Sequence, residues 1–229
     1  MTQLCGAELR HSIDEMQAFG ITITGEVKID LPAVVKRSRK VAGRLSMGVK
    51  HLLKKNKVSV FDAVAKLGAK QGDQRVVSLS DGGDITGRNI ILATGARART
   101  LPGLEADGTK ILTYREAMIP ETMPKSLVII GSGAIGAEFA SFYLDMGVDV
   151  TLIEAMDRIL PVEDEEISSF VQNAFEKRGM KIMTGVKLSS LTASKAGVTA
   201  AFDGKQDDIS AERAILAAIP RPLASKGPG

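Results

Sequence analysis

Tryptophan is absent, and aromatic side chains make up only 4% of the chain. Proteins that stack single-stranded nucleic acid need aromatics along a groove, so that class of function lacks its material here. Cysteine occurs once, at Cys5, which excludes an intrachain disulfide and fits a reducing, cytoplasmic setting. Histidine occurs twice, at His11 and His51, both on predicted helices and outside any catalytic motif. Neither a catalytic residue nor a metal ligand is therefore assigned. Long apolar runs are also missing, so no membrane span is expected. The start, Met1-Thr2-Gln3-Leu4, has neither the basic nor the apolar stretch of a signal peptide. The formal net charge of +3 is too small by itself to imply a polyanionic partner. Apolar residues, by contrast, are plentiful. With 229 residues, 44% hydrophobic and 25% charged, the chain can bury one large core or two small ones.

Leu9, Ile13, Met16 and Phe19 recur at helical spacing, and Gly20 follows as a stop. A longer helix is expected after Asp30, whose carboxylate can accept first-turn N–H groups, with Pro32 tolerated in that turn. Val34, Val41, Leu45, Leu52 and Leu53 form its apolar face. Lys36, Arg37, Arg39, Lys40, Lys50, Lys54, Lys55 and Lys57 form a basic one, read as a solvated face because no groove-reading motif accompanies it. The period then changes to two. Val58 and Val60 are expected to begin a strand, with Val76 and Leu79 in the next, Asp81-Gly82-Gly83 as a turn and Asp84 to Arg88 returning: a β-meander. Asn89 to Thr94 reads as a buried apolar strand. The domain boundary is placed near residue 118.

From Lys125 the pattern is βαβ. Leu127 to Ile130 is a buried strand, Ile135, Phe139, Phe142 and Met146 mark a helix that Gly147 ends, and Val148 to Ile153 is the next strand. Glu163 to Glu166 open a further helix, their charge favouring the positive end of its dipole. Met180 to Met183, Val198 to Phe202 and Ala214 to Ala217 read as strands, with a turn at Asp203-Gly204.

Between the two strands of the βαβ unit stands Gly131-Ser132-Gly133-Ala134-Ile135-Gly136. Gly131 permits a tight turn. Gly133 lets a pyrophosphate approach the backbone where a Cβ would collide. Gly136 lets the helix pack closely on the strand, and the N–H groups that open the helix face the phosphates. Such glycines alone are common, but here the second strand ends on Glu154, about twenty residues on, where a carboxylate can accept from both adenine ribose hydroxyls. A carboxylate repels a 2′-phosphate, and Arg158 comes only after the strand, so NAD is expected rather than NADP.

Several further stretches occur in order: Ile91-Leu92-Ala93-Thr94-Gly95-Ala96, Leu101-Pro102-Gly103, Val128 to Glu138, Val150-Thr151-Leu152-Ile153-Glu154, and Asp157-Arg158-Ile159-Leu160-Pro161. With Lys50 to Val58 and Asp164 to Ser168 they resemble the dihydrolipoyl dehydrogenases, flavoenzymes of the pyridine nucleotide–disulfide oxidoreductase family, from about residue 7 to about 219. The resemblance implies an α/β fold: a Rossmann-like NAD domain over residues 119–229, and an incomplete FAD-domain segment with a β-meander over 1–118. It implies NAD held by Gly131, Ser132, Gly133, Ala134, Ile135, Gly136, Ala137 and Glu138, with Glu154 on the ribose and Leu188 beside the adenine. It implies FAD near Ala65, Thr94, Gly95 and Ala96. Members of that family pass electrons from dihydrolipoamide through a redox disulfide and FAD to NAD, as homodimers that serve lipoyl domains in 2-oxo acid dehydrogenase complexes.

The chain also departs from that pattern. The family's first phosphate-binding glycine turn and its C-x4-C have no counterpart, and Cys5 is three positions out of register with the second family cysteine. Gly6 stands where the family has a lysine that pairs with the glutamate matching Glu138. After Ile219 the family turns through a glycine where this chain has Pro220, and residues 220–229 look like a non-native tail, loose in structure. The family's catalytic His belongs to an interface domain not matched here. These readings imply a copy truncated at both ends, inactive alone. The alternatives are an inactive NAD-binding module, or an interaction protein using the basic residues 36–57.

Overall fold

Leu127, Val128, Ile129 and Ile130 offer no polar face to water, and both faces of the strand they form are covered. In the computed structural model, which describes residues 3–98, 103–204, 206–217 and 221–222, this strand is central to a parallel sheet. Contacts divide the chain into two units, Met1–Val41 with Ala98–Pro220, and Ala42–Arg97 with Arg221–Gly229.

The first unit begins with α1 (Leu4–Glu15), closed after a short 3-10 turn by Gly20 at φ 74°. The helix α2 (Leu31–Lys55) starts in this unit and from Ala42 on is counted in the second; its first turn is capped by Asp30, whose Oδ1 accepts from Ala33 N–H at 2.9 Å. Strands β1 (Ala65–Gln71), β2 (Gln74–Leu79), β3 (Asp84–Gly87) and β4 (Ala96–Arg97) belong to the second unit. The chain then returns to the first unit with β5 (Ile111–Leu112), α3 (Tyr114–Ala117), β6 (Ser126–Ile130), α4 (Ala134–Asp145) and β7 (Asp149–Ile153). After these come α5 (Glu165–Lys177), β8 (Lys181–Met183), β9 (Leu188–Ala193), β10 (Val198–Phe202), β11 (Ile209–Ala211) and β12 (Arg213–Leu216), with β13 (Arg221–Pro222) counted in the second unit.

The parallel sheet has the order β5-β12-β6-β7-β8. Alternation along β6 sorts its side chains by face. Leu127 and Ile129 meet Ala140, Phe142 and Tyr143 of α4 and Ala7 of α1, while Val128 and Ile130 meet Leu191, Val198 and Ala200 of the antiparallel sheet β11-β10-β9. Each fully buried Leu or Ile contributes about 1.5–3 kcal/mol relative to exposure, so these two layers carry the stability of the unit. Gly147, at φ 86°, ends α4 as its position predicts.

One expectation fails in this unit, and one strand carries no sequence signal. The stripe of α1 that packs is Leu4 and Ala7, not Leu9 and Phe19, which are exposed. Small residues decide this: a Cβ at Gly6 would meet Met146 Cε and Val34 Cγ1 at ordinary contact, so α1 lies close along α4 on its Gly6–Ala7 side. The strand β9 was not anticipated, because Leu188-Ser189-Ser190-Leu191 lacks a strict alternation.

The second unit holds the meander β1-β2-β3, with Gly72 at φ 62° turning β1 into β2 and a turn at residues 80–83 before β3. The first strand starts at Ala65, not at Val58. The register Ala65↔Leu79 to Gln71↔Gln74, set by that tight turn, leaves Val58 to Val64 beyond the end of β2. Asn89 to Thr94 is not a strand either. No sheet of the described residues includes this stretch, and Ile91 and Leu92 are 92% and 58% exposed. The apolar face expected for α2 is likewise exposed at Leu45 and Leu52, whereas Val34 packs on the core of the first unit. Of the tail expected to be loose, Arg221 and Pro222 pair with Arg97 and Ala96 as a short antiparallel ladder, and residues 220 and 223–229 lie outside the described residues.

Candidate dinucleotide site

The C-terminal end of β6 meets the start of α4 in a turn whose geometry follows from its glycines. Gly131 has φ 98°, a conformation open to glycine, and its N–H donates to Ile153 O at 2.8 Å, tying the turn to the end of β7. Gly133 is the N-cap of α4, with extended backbone at φ −63°, and nothing lies within 4 Å of where its Cβ would stand. Gly136 is the reverse. A Cβ there would stand 1.9 Å from Gly131 O and 3.2 Å from Ala217 Cβ. So one glycine faces open space and another closes a backbone contact. The first-turn N–H groups of α4, which no preceding helical turn can satisfy, open beside Gly133. They and the helix dipole make an anion cradle there.

Glu154, the residue after β7, turns its carboxylate back into this turn. Oε2 accepts from Ser132 N–H at 2.8 Å and from Ser132 Oγ at 2.7 Å, while Oε1 accepts from Met156 N–H at 3.0 Å. The residue is 9% exposed. Burial pushes its carboxyl up, but the bonds donated by Met156 and Ser132, with the Ala155 N–H, outweigh that and hold it below the usual glutamate range. Glu154 is thus an anion at neutral pH, fixed on both oxygens.

The other assigned positions divide between the two units. Ala134, Ile135 and Ala137 lie in the first turn of α4, and Glu138 is exposed on the same helix. Leu188 opens β9, packed against the second core layer, two residues after Val186, whose N–H donates to Glu154 O at 3.3 Å. Thus residues 131–138 and Glu154 come together, with Leu188 on the chain that follows. Arg158 stays with its own loop: Nη1 lies 3.7 Å from Asp157 Oδ1 and Nη2 donates to Pro161 O at 3.5 Å. Ala65, Thr94, Gly95 and Ala96 belong to the second unit, where Ala65 opens β1, Thr94 and Gly95 are exposed in irregular chain, and Ala96 opens β4. Among the described residues 42–95 none is buried, so Ala65, Thr94 and Gly95 form no enclosed cradle for a flavin by themselves. Cys5 is an exposed thiol. Among the described residues no cluster of three or more His, Cys, Asp or Glu is placed to hold a metal ion, and no helix is long and apolar enough to cross a membrane.

The link between Ser132 and Glu154 has one faint mark in the sequence: Ser132 is the single polar side chain of the glycine turn that follows an apolar strand.

Residues 7–222 match the profile of the pyridine nucleotide-disulphide oxidoreductases. The chain belongs to this family. Among the oxidoreductases similar to it, the dihydrolipoyl dehydrogenase of Zymomonas mobilis is 45% identical over 212 residues, which cover 92% of this chain and 45% of that protein. The dihydrolipoyl dehydrogenase of Rhizobium etli is 44% identical over 232 residues, covering 93% of this chain and 48% of its own. The crystal structure of LpdA from Mycobacterium tuberculosis matches with a TM-score of 0.88 at 26% identity, over 98% of this chain and 49% of that one. The chain thus spans about half the length of the oxidoreductases it matches.

Proposed function

We propose that this chain is the NAD-binding portion, with part of the FAD domain, of a dihydrolipoyl dehydrogenase. The observation that carries the reading is the open space over Gly133 beside the ionised Glu154 carboxylate. Residues Gly131 to Glu138 would line the pyrophosphate, Glu154 would accept from the adenine ribose, and Leu188 would flank the adenine. The space that a Cβ at Gly133 would fill fits a phosphate against the backbone. When bound, the nicotinamide supplies the hydride acceptor. The contribution of this chain is to bind and orient it, and to exclude a 2′-phosphate through the charge of Glu154.

The domain boundary near residue 118, with residues 1–118 toward FAD, 119–229 toward NAD and 220–229 a non-native tail, belongs to the same reading. So do a cytoplasmic setting and the partners of such an enzyme: lipoyl domains, a 2-oxo acid dehydrogenase complex and a second subunit. Ala65, Thr94 and Gly95 do not themselves enclose a flavin, so no step through FAD is assigned to them. That observation favours a second reading for the 229-residue polypeptide itself, a module that holds NAD without turnover.

The test is calorimetric titration with NAD and NADP. NAD is expected to bind and NADP to bind more weakly. Equal or tighter binding of NADP would remove Glu154 from the ribose.

A further inference from the structure

Glu154 does not hold itself in place. A glutamate side chain has three rotatable bonds, and a carboxylate left to rotate would meet a ribose hydroxyl in only a fraction of its conformations. Here Ser132, 0% exposed, clamps Oε2 with both its N–H and its hydroxyl. Oε1 takes the Met156 N–H. Ser132 alone gives Oε2 two donors, and Met156 N–H and Ala155 N–H bond the carboxylate further. The orientation of the carboxylate is therefore set by the protein before any nucleotide arrives, with Ser132 its side-chain partner.

Ser132 is itself fixed from behind. Its carbonyl accepts from Leu160 N–H at 3.0 Å. Leu160 has φ 47°, a left-handed conformation that a leucine rarely adopts, and its carbonyl accepts from the hydroxyl of Ser168, 1% exposed, at 3.1 Å. A chain of hydrogen bonds thus runs from the buried Ser168 of α5 through Leu160 and Ser132 to Glu154.

We propose that Ser132 is a positioning residue that sets selectivity for NAD over NADP, by holding the Glu154 carboxylate in the orientation that meets the adenine ribose. This rests on the reading of residues 131–154 as a dinucleotide site. Ser132 touches no reacting atom and acts through Glu154. A 2′-phosphate cannot donate to that carboxylate and is repelled by it. Loosening the carboxylate therefore weakens NAD and leaves NADP nearly untouched.

The experiment titrates NAD and NADP into the 229-residue protein and its Ser132→Ala, Ser132→Cys and Glu154→Ala variants. Cysteine nearly preserves the volume at position 132 but is a poor hydrogen-bond donor, so it separates packing from hydrogen bonding. Both Ser132 variants are expected to bind NAD roughly 3- to 10-fold more weakly with NADP unchanged, a loss smaller than that of a direct charged hydrogen bond because the N–H groups of residue 132 and Met156 still reach the carboxylate. An equal loss for both nucleotides, or normal NAD binding in Ser132→Cys, would make Ser132 a packing residue and overturn the proposal. Normal selectivity in both Ser132 variants with selectivity lost in Glu154→Ala would overturn it while leaving the ribose assignment standing. Unchanged NAD binding in Glu154→Ala would remove the ribose assignment itself, and the proposal with it.

Discussion

Gly133 and Gly136 open the same helix but are glycines for different reasons. The position of a Cβ at Gly136 is already taken by Gly131 O at 1.9 Å, a backbone atom that cannot swing away. Gly136→Ala must therefore separate α4 from the turn, and a loss at or above the ~1–3 kcal/mol typical of overpacking is expected in chemical denaturation. Gly133 has open space and an extended φ, so Gly133→Val should keep the thermal midpoint close to that of the parent protein while removing NAD binding. Retained NAD binding in that variant would mean that the phosphates lie elsewhere. Glu154 gives a prediction in pH. Its folded value is depressed, so its ionised form stabilises the protein above the usual glutamate range, and that contribution is lost as pH falls through the lower folded value. Glu154→Gln, which leaves one donor of Ser132 or Met156 poorly matched, is expected to cost about 1–3 kcal/mol at neutral pH, narrowing in acid. Thermal melts across pH would show the two curves converging, and parallel curves would argue against the ionised clamp.

The elements that were legible in sequence are those whose local signals and tertiary surroundings agree. Asp164 caps α5, its carboxylate accepting from Glu166 N–H at 2.9 Å and Ile167 N–H at 3.4 Å, in a stretch already marked by its acidic run. Asp164→Ala should lower stability by about 0.5–2 kcal/mol, read as a shift in the urea midpoint, and no shift would mean that the first turn is held by Ser168 and Leu160 instead. The β6-turn-α4-β7 unit was legible for the same reason: continuous apolar strands predict a sheet covered on both faces, and the glycines predict a close turn. Asn89 to Thr94 carries the same apolar signal, yet it is not a strand, because periodicity reports a wish for burial and not the presence of a neighbour. The apolar stripe of α2 fails in the same way at Leu45 and Leu52. Ser132 was invisible for another reason: its role depends on a partner twenty-two residues away, and no spacing rule marks a serine that clamps a carboxylate.

At the scale of the molecule the two units are unequal. The first carries two buried layers around its parallel sheet, while the described residues 42–95 of the second contain no buried residue and expose Val60, Val64, Ile91 and Leu92. Three strands without an apolar layer gain little on folding, and solvent reaches Ala65, Thr94 and Gly95, three of the positions offered toward a flavin. This bears on turnover. Oxidation of a dithiol by NAD through a flavin needs a disulfide to accept the thiols, a water-excluded flavin to pass the electron pair, and a base to take the thiol proton. The 229 residues contain one cysteine, so no disulfide can form within the chain. His11 lies 3.3 Å from Glu15 on the same helix, and His51 is exposed on α2, so neither stands beside Cys5 in a thiol–imidazole arrangement shown by any contact among the described residues. Groups that act as a unit lose most of the rate when one is removed, by orders of magnitude. The 229-residue polypeptide, supplied with FAD, NAD and dihydrolipoamide, is therefore expected to make no NADH above background, while still binding NAD through Gly131 to Glu154. A measured rate that Glu154→Ala abolishes would overturn this, and would mean that the disulfide, flavin and base are assembled by association between chains.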